Sequence, residues 1–448
     1  MTTEDPGARP DNARVPSGQD RTITRRQVLA GAGAVLGAAA IGAPRAAAAA
    51  VPALPDPKHS GIDHVVVCMM ENRSFDHFWG WLPGADGQQQ GLSYVDNDGN
   101  SHPTHHLRTH QGCAHPDPDH SFDGGRVEFN NGACDGWLRA GDNDEFSIGY
   151  YTAADFRFFR KAVPYWTACD RYFAAIMAET YPNRFYQHSA QTDRIYNSGD
   201  TCELPTIWDS LADAGLTGNY YYTDIPFVAL WGGKYQDISQ PFSQFVDDAA
   251  AGKLPAVSFV DPKFYNEGSG TSGDDHPHAD IRVGQYFLNQ VYEAVVTSPN
   301  WARTMLVINY DEWGGFFDHV APRVAPDQHP EWGLRGFRVP CLVVSPRARR
   351  HHVAHGVFDH TSILSMIEWR WGLDPLTVRD AKANNIACVL DFDNPPNLDA
   401  PMYDVPPFVG QACPAGSPSG GYEEWGALRA KAIADGWRLP TRLVLRST

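Results

Sequence analysis

The sequence predicts an α/β protein of three layers, α/β/α, built around a mostly parallel sheet. Two observations carry this. Several short apolar runs lack polar alternation, as strands buried on both faces do, and segments of helical character lie between them. A third observation concerns function: the runs stop at polar residues, and in such sheets ligands sit outside the carboxyl ends of the strands.

Taken in order, the first fifty of the 448 residues read as an address. Thr24-Arg25-Arg26 precedes an Ala/Gly-rich apolar run from Val28 to Ala43, followed by Pro44, Arg45 and a string of alanines. This is the layout of a twin-arginine signal, with a charged region, a short apolar region and small residues for cleavage. Residues 1–50 are therefore expected to be a signal peptide taken up by the twin-arginine export machinery. Residues 51–448 are expected to form a single catalytic domain, secreted or held in the cell envelope.

The first apolar run, His64–Met70, ends at Glu71-Asn72. A helical segment, 205–214, precedes Asn219–Tyr222, which ends near Asp224. The run 256–260 ends at Asp261, and helical 281–297 leads to Met305–Tyr310, which ends at Asp311-Glu312. The run 339–344 ends at Ser345-Pro346 and is followed by helical 361–371. Residues 80–150 and 262–280 are rich in Gly, Asp and other polar residues, and loops of that length usually cover active sites. The tail after Asp391 is Pro-rich until a helix-like segment at 422–437.

Composition narrows the partners. Acidic residues number 53 against 36 basic ones, a formal net charge of −17. That argues against nucleic acid and against docking on anionic lipid by charge alone. The signal holds six basic and four acidic residues, so its removal takes the net charge to −19. Aromatic residues make up 12%, with 13 Trp, which disfavours disorder. No stretch is apolar and long enough to span a bilayer. Eight cysteines are too few for a disulfide scaffold. Cys68 and Cys341 fall in strand-like runs and read as core. Cys113 and Cys134 flank a polar Gly-rich stretch and are a candidate pair after export, with connectivity left open by the sequence.

The chemistry concentrates at two strand ends. Glu71-Asn72 and Asp311-Glu312 offer three carboxylates and an amide oxygen, hard donors that together suit a divalent cation. Taken singly, each pair reads equally well as a helix cap or solvated turn. Of 18 histidines, His120, His276 and His319 lie in strand-end loops and are the candidate metal ligands or proton donors. No G-x-S-x-G elbow, H-E-x-x-H, Walker loop or strand-borne G-x-G-x-x-G is present. Asp96-Asn97-Asp98-Gly99 resembles the start of a calcium loop but lacks its distant Glu, and reads as a polar turn.

Four blocks, Glu71-Asn-Arg-Ser-Phe-Asp-His77, Thr180-Tyr-Pro-Asn-Arg184, Asp311-Glu-Trp-Gly-Gly-Phe-Phe-Asp-His319 and Gly336-Phe-Arg-Val-Pro-Cys-Leu-Val-Val-Ser-Pro346, resemble in order the signatures of one family. It is the phosphoesterase family of bacterial and plant non-specific phospholipases C and related acid phosphatases, which has an alkaline-phosphatase-like core. Asp119-His120-Ser121 and Asp275-His276-Pro277 resemble its patterns as well. The resemblance implies a metal-assisted phosphoesterase with Thr180 as nucleophile and Glu71, Asn72, Thr180, Asp311 and Glu312 as metal ligands. The chemistry agrees: a threonine hydroxyl needs a base or a metal to attack, and a cation would acidify it and neutralise phosphoryl oxygens.

Asn183 or Arg184 is then expected to bind phosphate oxygens, with a structural ion pair an equal alternative for Arg184. His120, His276 or His319 is expected to protonate the leaving group, and Asp76-His77 to orient the first loop. The oxygen-rich ligand set suits calcium, magnesium or manganese, and added histidines would admit zinc. The expected activity is that of a secreted phospholipase C, cleaving the glycerol-side phosphodiester of phosphatidylcholine-like lipids through a phospho-threonine, with transient membrane-surface contact. The alternatives are an acid phosphatase of the same family, acting on small phosphate esters, and a non-catalytic envelope protein that binds phosphate esters or metal. A lipase calls for apolar residues at the cleft mouth, for which Trp79, Trp81, Trp137, Phe227 and Trp231 are the candidates unless they are core.

Overall fold

The computed structural model describes residues 53–418 and 423–440; the expected export signal, residues 1–50, lies outside them. Eight strands form the central sheet: β1 (His64–Met70), β2 (Thr167–Cys169), β3 (Gly218–Tyr222), β4 (Ser239–Pro241), β5 (Val257–Asp261), β6 (Thr304–Tyr310), β7 (Cys341–Val344) and β8 (His352–Ala354). Their order is β8-β2-β7-β6-β1-β5-β3-β4. β1 lies at the centre, parallel to β5 and β6, with Val65 opposite Val257 on one side and Met305 on the other. β5, β6 and β7 are buried along their whole length, which explains their unbroken apolar sequence.

The strand alternation feeds two sets of helices. Tyr220 of β3 points to His188 of α1 (Thr180–Ser189), with rings 6.0 Å apart. Its neighbour Tyr221 points the other way, 5.3 Å from Phe245 of the helix Phe242–Ala250. Two adjacent tyrosines therefore serve opposite layers, as the period-2 geometry of a strand requires. The longest helix, α2 (Ile281–Val296), starts at Asp280, whose side chain accepts from the Arg282 N–H. A third, α3 (His360–Trp371), opens with a capping box between Asp359 and Ser362 and closes on Gly372.

Three expectations change here. β7 runs antiparallel to both β6 and β2, so Ser345-Pro346 emerges at the sheet edge opposite to Glu71 and Asp311. There Ser345 Oγ donates to the carbonyl of Thr304, at the start of β6. Cys113 pairs with Cys413 rather than with Cys134, which is buried and free. The aromatic residues considered for a lipid-facing mouth are core: Trp79, Trp137, Phe227 and Trp231 are buried, and Trp81 is half-buried. Asp96 caps a two-stranded hairpin by accepting from the N–H groups of Asp98 and Asn100, the polar turn expected. Cys68 and Cys341 are buried in strands. Among the described residues no helix is long and apolar enough to cross a membrane.

Candidate active site

β1 stops where Asn72 turns into the left-handed region at φ 56°, a conformation that Asn tolerates better than most residues. The turn lets its N–H donate to Asp311 Oδ1 at 3.1 Å, and the Glu312 N–H donates to the same oxygen at 2.6 Å. Arg73 N–H closes the link by donating to the Glu312 carbonyl at 3.1 Å. The ends of β1 and β6 are thus tied together by a backbone bond and by one from the Asn72 N–H to the Asp311 carboxylate. The two glycines after Trp313 make this approach feasible: Gly314 and Gly315 have φ of 65° and 68°, and a Cβ on Gly314 would collide with the Asn72 carbonyl.

Arg184 fastens α1 to these ends. Its Nη2 lies 2.9 Å from Glu71 Oε1, its Nη1 3.3 Å from Asp261 Oδ1 and its Nε 3.3 Å from Asp311 Oδ2. The three carboxylates stand at the ends of β1, β5 and β6, which are neighbours in the sheet. Burial disfavours its charge, but these carboxylates hold it protonated more firmly than usual. Arg184 is therefore a structural ion-pair centre, one of the two roles that the sequence left open for it. Asn183 is likewise committed: Oδ1 accepts from the Ile176 N–H at 3.0 Å and Nδ2 donates to the Ala178 carbonyl at 2.8 Å. It shapes the turn into α1.

Thr180 opens α1, one helical turn before Arg184 and on the same face. Its Oγ1 is buried and without a hydrogen-bond partner, as are Asn72 Oδ1, Glu312 Oε1 and Glu71 Oε2. Buried polar atoms are rarely left so. Four oxygen donors from the residues expected to hold a metal fit a divalent cation of the hard class. Asp311 differs, since both its oxygens already accept from the protein.

The loops place two of the expected histidines among carboxylates that the sequence did not single out, Asp117, Glu267, Asp274 and Glu424. His120 reaches Glu424 Oε1 with Nε2 at 3.0 Å, and its Nδ1 lies 2.8 Å from the Pro118 carbonyl. Burial opposes its charge, yet the carboxylates of Glu312, Asp117 and Glu424 prevail and raise its pKa well above normal. His276 is raised to about 10 by Asp117, Glu424 and Glu71 against the same burial. Glu267 and Asp274 lie close to Glu71, all three buried. Burial pushes Glu71, Glu267 and Glu312 well up, Asp274 to about 8 and Asp311 to about 6.

His319 lies elsewhere. Its Nδ1 is 2.5 Å from Asp76 Oδ2 and its Nε2 3.3 Å from Asp86 Oδ1. Arg338 bonds both Asp76 and Asp318 beside it. This network braces the first loop, where His77 also bonds the Gly149 carbonyl and stacks 3.8 Å from Phe316. Among the described residues, no hydrogen bond or ion pair joins His319 to Thr180, Glu71 or Glu312. Of the missed residues, Asp261 was visible as a strand end. Glu267 sits in a Gly/Ser-rich loop and Glu424 beyond a Pro-rich tail, with no local pattern to flag either.

A profile described as the phosphoesterase family matches residues 62–374. Phospholipase C B of Mycobacterium tuberculosis is 32% identical over 436 residues, covering 79% of this chain and 82% of its own. Non-specific phospholipase C4 of Arabidopsis thaliana is 30% identical over 390 residues, covering 75% and 72%. Among solved structures, a protein of the alkaline phosphatase superfamily from Vibrio parahaemolyticus superposes with a TM-score of 0.37 at 10% identity, covering 73% of this chain and 70% of that one.

Proposed function

The chain belongs to the phosphoesterase family, and from that premise we propose that it is a phospholipase C acting on phosphatidylcholine-like lipids. The observation that carries the reading is Thr180 Oγ1, buried and unpartnered at the N-terminus of α1. A helix N-terminus favours an anion, and Arg184 of the same helix grips the strand ends that bear the carboxylates. The names of the relatives, phospholipase C and non-specific phospholipase C, support a phospholipid substrate.

A divalent cation held by Glu71, Asn72, Thr180, Asp311 and Glu312 would acidify the threonine hydroxyl and offset charge on the phosphoryl oxygens. Ionised Thr180 Oγ attacks phosphorus in line, and the bond from phosphorus to the glycerol oxygen breaks. His120, protonated and held by Glu424, gives its Nε2 proton to the departing oxygen, and diacylglycerol leaves. The head-group phosphate is now esterified to Thr180. Water then attacks phosphorus and passes a proton to His120, the bond to Thr180 breaks, and the phosphorylated head group departs.

The assay is release of diacylglycerol and phosphocholine from phosphatidylcholine vesicles with calcium, magnesium, manganese or zinc supplied in turn. If the wild type releases neither product and spares nitrophenyl phosphate esters, the enzyme reading fails. A second reading, a phosphomonoesterase of the same family, is favoured by one observation: the aromatic residues that would face lipid are packed in the core. Faster turnover of a phosphate monoester than of phosphatidylcholine would decide for it. Export by the twin-arginine route belongs to the same proposal, supported by Arg25-Arg26 and by the Cys113–Cys413 disulfide, which suits an oxidising compartment. Replacing both arginines by lysine is expected to retain the precursor in the cytoplasm; export unchanged would refute the route.

A further inference from the structure

The carbonyl of Asp311 stands where β6 leaves the sheet. Pairing of β6 with β7 ends at Asn309, opposite Cys341, so among the described residues no strand supplies this carbonyl with a donor. A buried carbonyl needs one. His360, the first residue of α3, fills the place with Nε2 at 2.6 Å. Because a carbonyl only accepts, the ring proton sits on Nε2 and Nδ1 is left to accept. The N–H of the same peptide, that of Glu312, donates to Asp311 Oδ1 at 2.6 Å. Both polar ends of the peptide plane between Asp311 and Glu312 are therefore held.

Behind that bond runs a buried chain of polar groups that the reaction does not use. β6 is apolar from Met305 to Ile308 and then carries Asn309, fully buried. Its Nδ2 donates to Gln187 Oε1 of α1 and to the Tyr172 hydroxyl, each at 3.0 Å. The Tyr172 hydroxyl in turn donates to His360 Nδ1 at 3.1 Å. Tyr172 belongs to a short strand, Tyr172–Phe173, that pairs with Phe358–Asp359 just before α3. Asp359, which caps α3, is itself paired with Arg335 and Arg379, so the helix start that bears His360 is fixed from several sides. An amide in a strand buried on both faces is costly unless it is bonded. The bonds that Asn309 makes run between the helix of Thr180 and the end of the strand that bears Asp311 and Glu312.

We propose that His360 is a positioning residue for the strand-end site: it fixes the peptide between Asp311 and Glu312 and so aims both carboxylates, while Tyr172 and Asn309 tie that setting to α1. The proposal rests on the reading of Asp311 and Glu312 as cation ligands, and it stands whichever phosphate ester the chain cleaves. His360 touches neither substrate nor the reacting atoms. It acts through the backbone of the residues that do, as groups behind metal ligands commonly act, where a substitution costs about 10–100-fold in metal affinity or activity.

The test is calorimetric titration of manganese into the metal-free full chain, beside steady-state kinetics of the manganese-loaded enzyme. His360→Leu is expected to bind manganese about 10–100-fold more weakly than the wild type, and to lose kcat in the same range at saturating metal with KM little changed. His360→Gln, whose amide N–H can donate to the same carbonyl, is expected to recover most of both. Tyr172→Phe removes only the hydroxyl that the ring accepts from, and is expected to weaken manganese binding in the same direction. Added to His360→Leu it is expected to cost nothing more, because the two act in series. A folded His360→Leu with wild-type manganese affinity and kcat, even if it melts earlier, would overturn the proposal, as would losses that add in the double variant. Should His360→Leu fail to fold, Tyr172→Phe decides, and unchanged manganese affinity there overturns it. No manganese uptake by the wild type would instead sink the cation reading itself, and the proposal with it.

Discussion

Arg184 answers to three carboxylates at once, and its removal would strand them in the interior. Arg184→Met is expected to lower stability by about 3–5 kcal/mol, the usual cost of breaking a buried ion pair from one side, measured by urea unfolding of the metal-free protein. A stability unchanged within error would return Arg184 to the role of a substrate clamp. The strand-end pairs Glu71-Asn72 and Asp311-Glu312 were legible because acidic residues directly after apolar runs are a local pattern. Which carboxylates share one arginine is not local: Glu71, Asp261 and Asp311 come together only once β1, β5 and β6 are adjacent in the sheet. The same applies to Asn183, whose commitment to Ile176 and Ala178 depends on the fold of the preceding turn.

At the level of elements, the five apolar runs became strands and the intervening periodic segments became helices, with bounds moved by a few residues at most. Strand direction was the part that the sequence hid. β7 looks like its parallel neighbours because it too is buried on both faces, and burial alone carries no sign of polarity. α3 offers a pH test. Glu368 on this helix is buried, and that burial, with the nearby Asp380 carboxyl, pushes it up to about 10. The unfolded chain gives up this proton near pH 4.5 while the folded chain keeps it, so stability falls as pH rises between those values. Glu368→Gln is therefore expected to raise the melting temperature by about 2 °C or more at pH 8 and to leave it nearly unchanged at pH 4.5. A thermal scan across that range checks this; equal shifts at both ends would refute the assignment.

Across the whole molecule, the Cys113–Cys413 bridge joins residues 300 apart. It ties the loop that carries Asp117 and His120 to the segment whose Cys413 N–H bonds Ser269, in the loop that carries Glu267 and His276. A cross-link of that span restricts the unfolded chain strongly, and Cys113→Ser is expected to cost about 2–5 kcal/mol, read by chemical denaturation beside the wild type under oxidising conditions. The pairing was out of reach of the sequence because Cys413 lies in a Pro-rich tail with no periodicity. The acidic surplus of the composition, by contrast, was legible and has a structural counterpart: Glu71, Glu267, Asp274, Asp311, Glu312 and Glu424 are all buried around one site. The measurement that bears most directly on the central claim is acid-quenched turnover of phosphatidylcholine followed by peptide mass spectrometry. The expected result is a head-group phosphate on Thr180 in the wild type, with Thr180→Ala slowed on the order of a thousand-fold or more. Full turnover by Thr180→Ala, or an adduct on another residue, would contradict it.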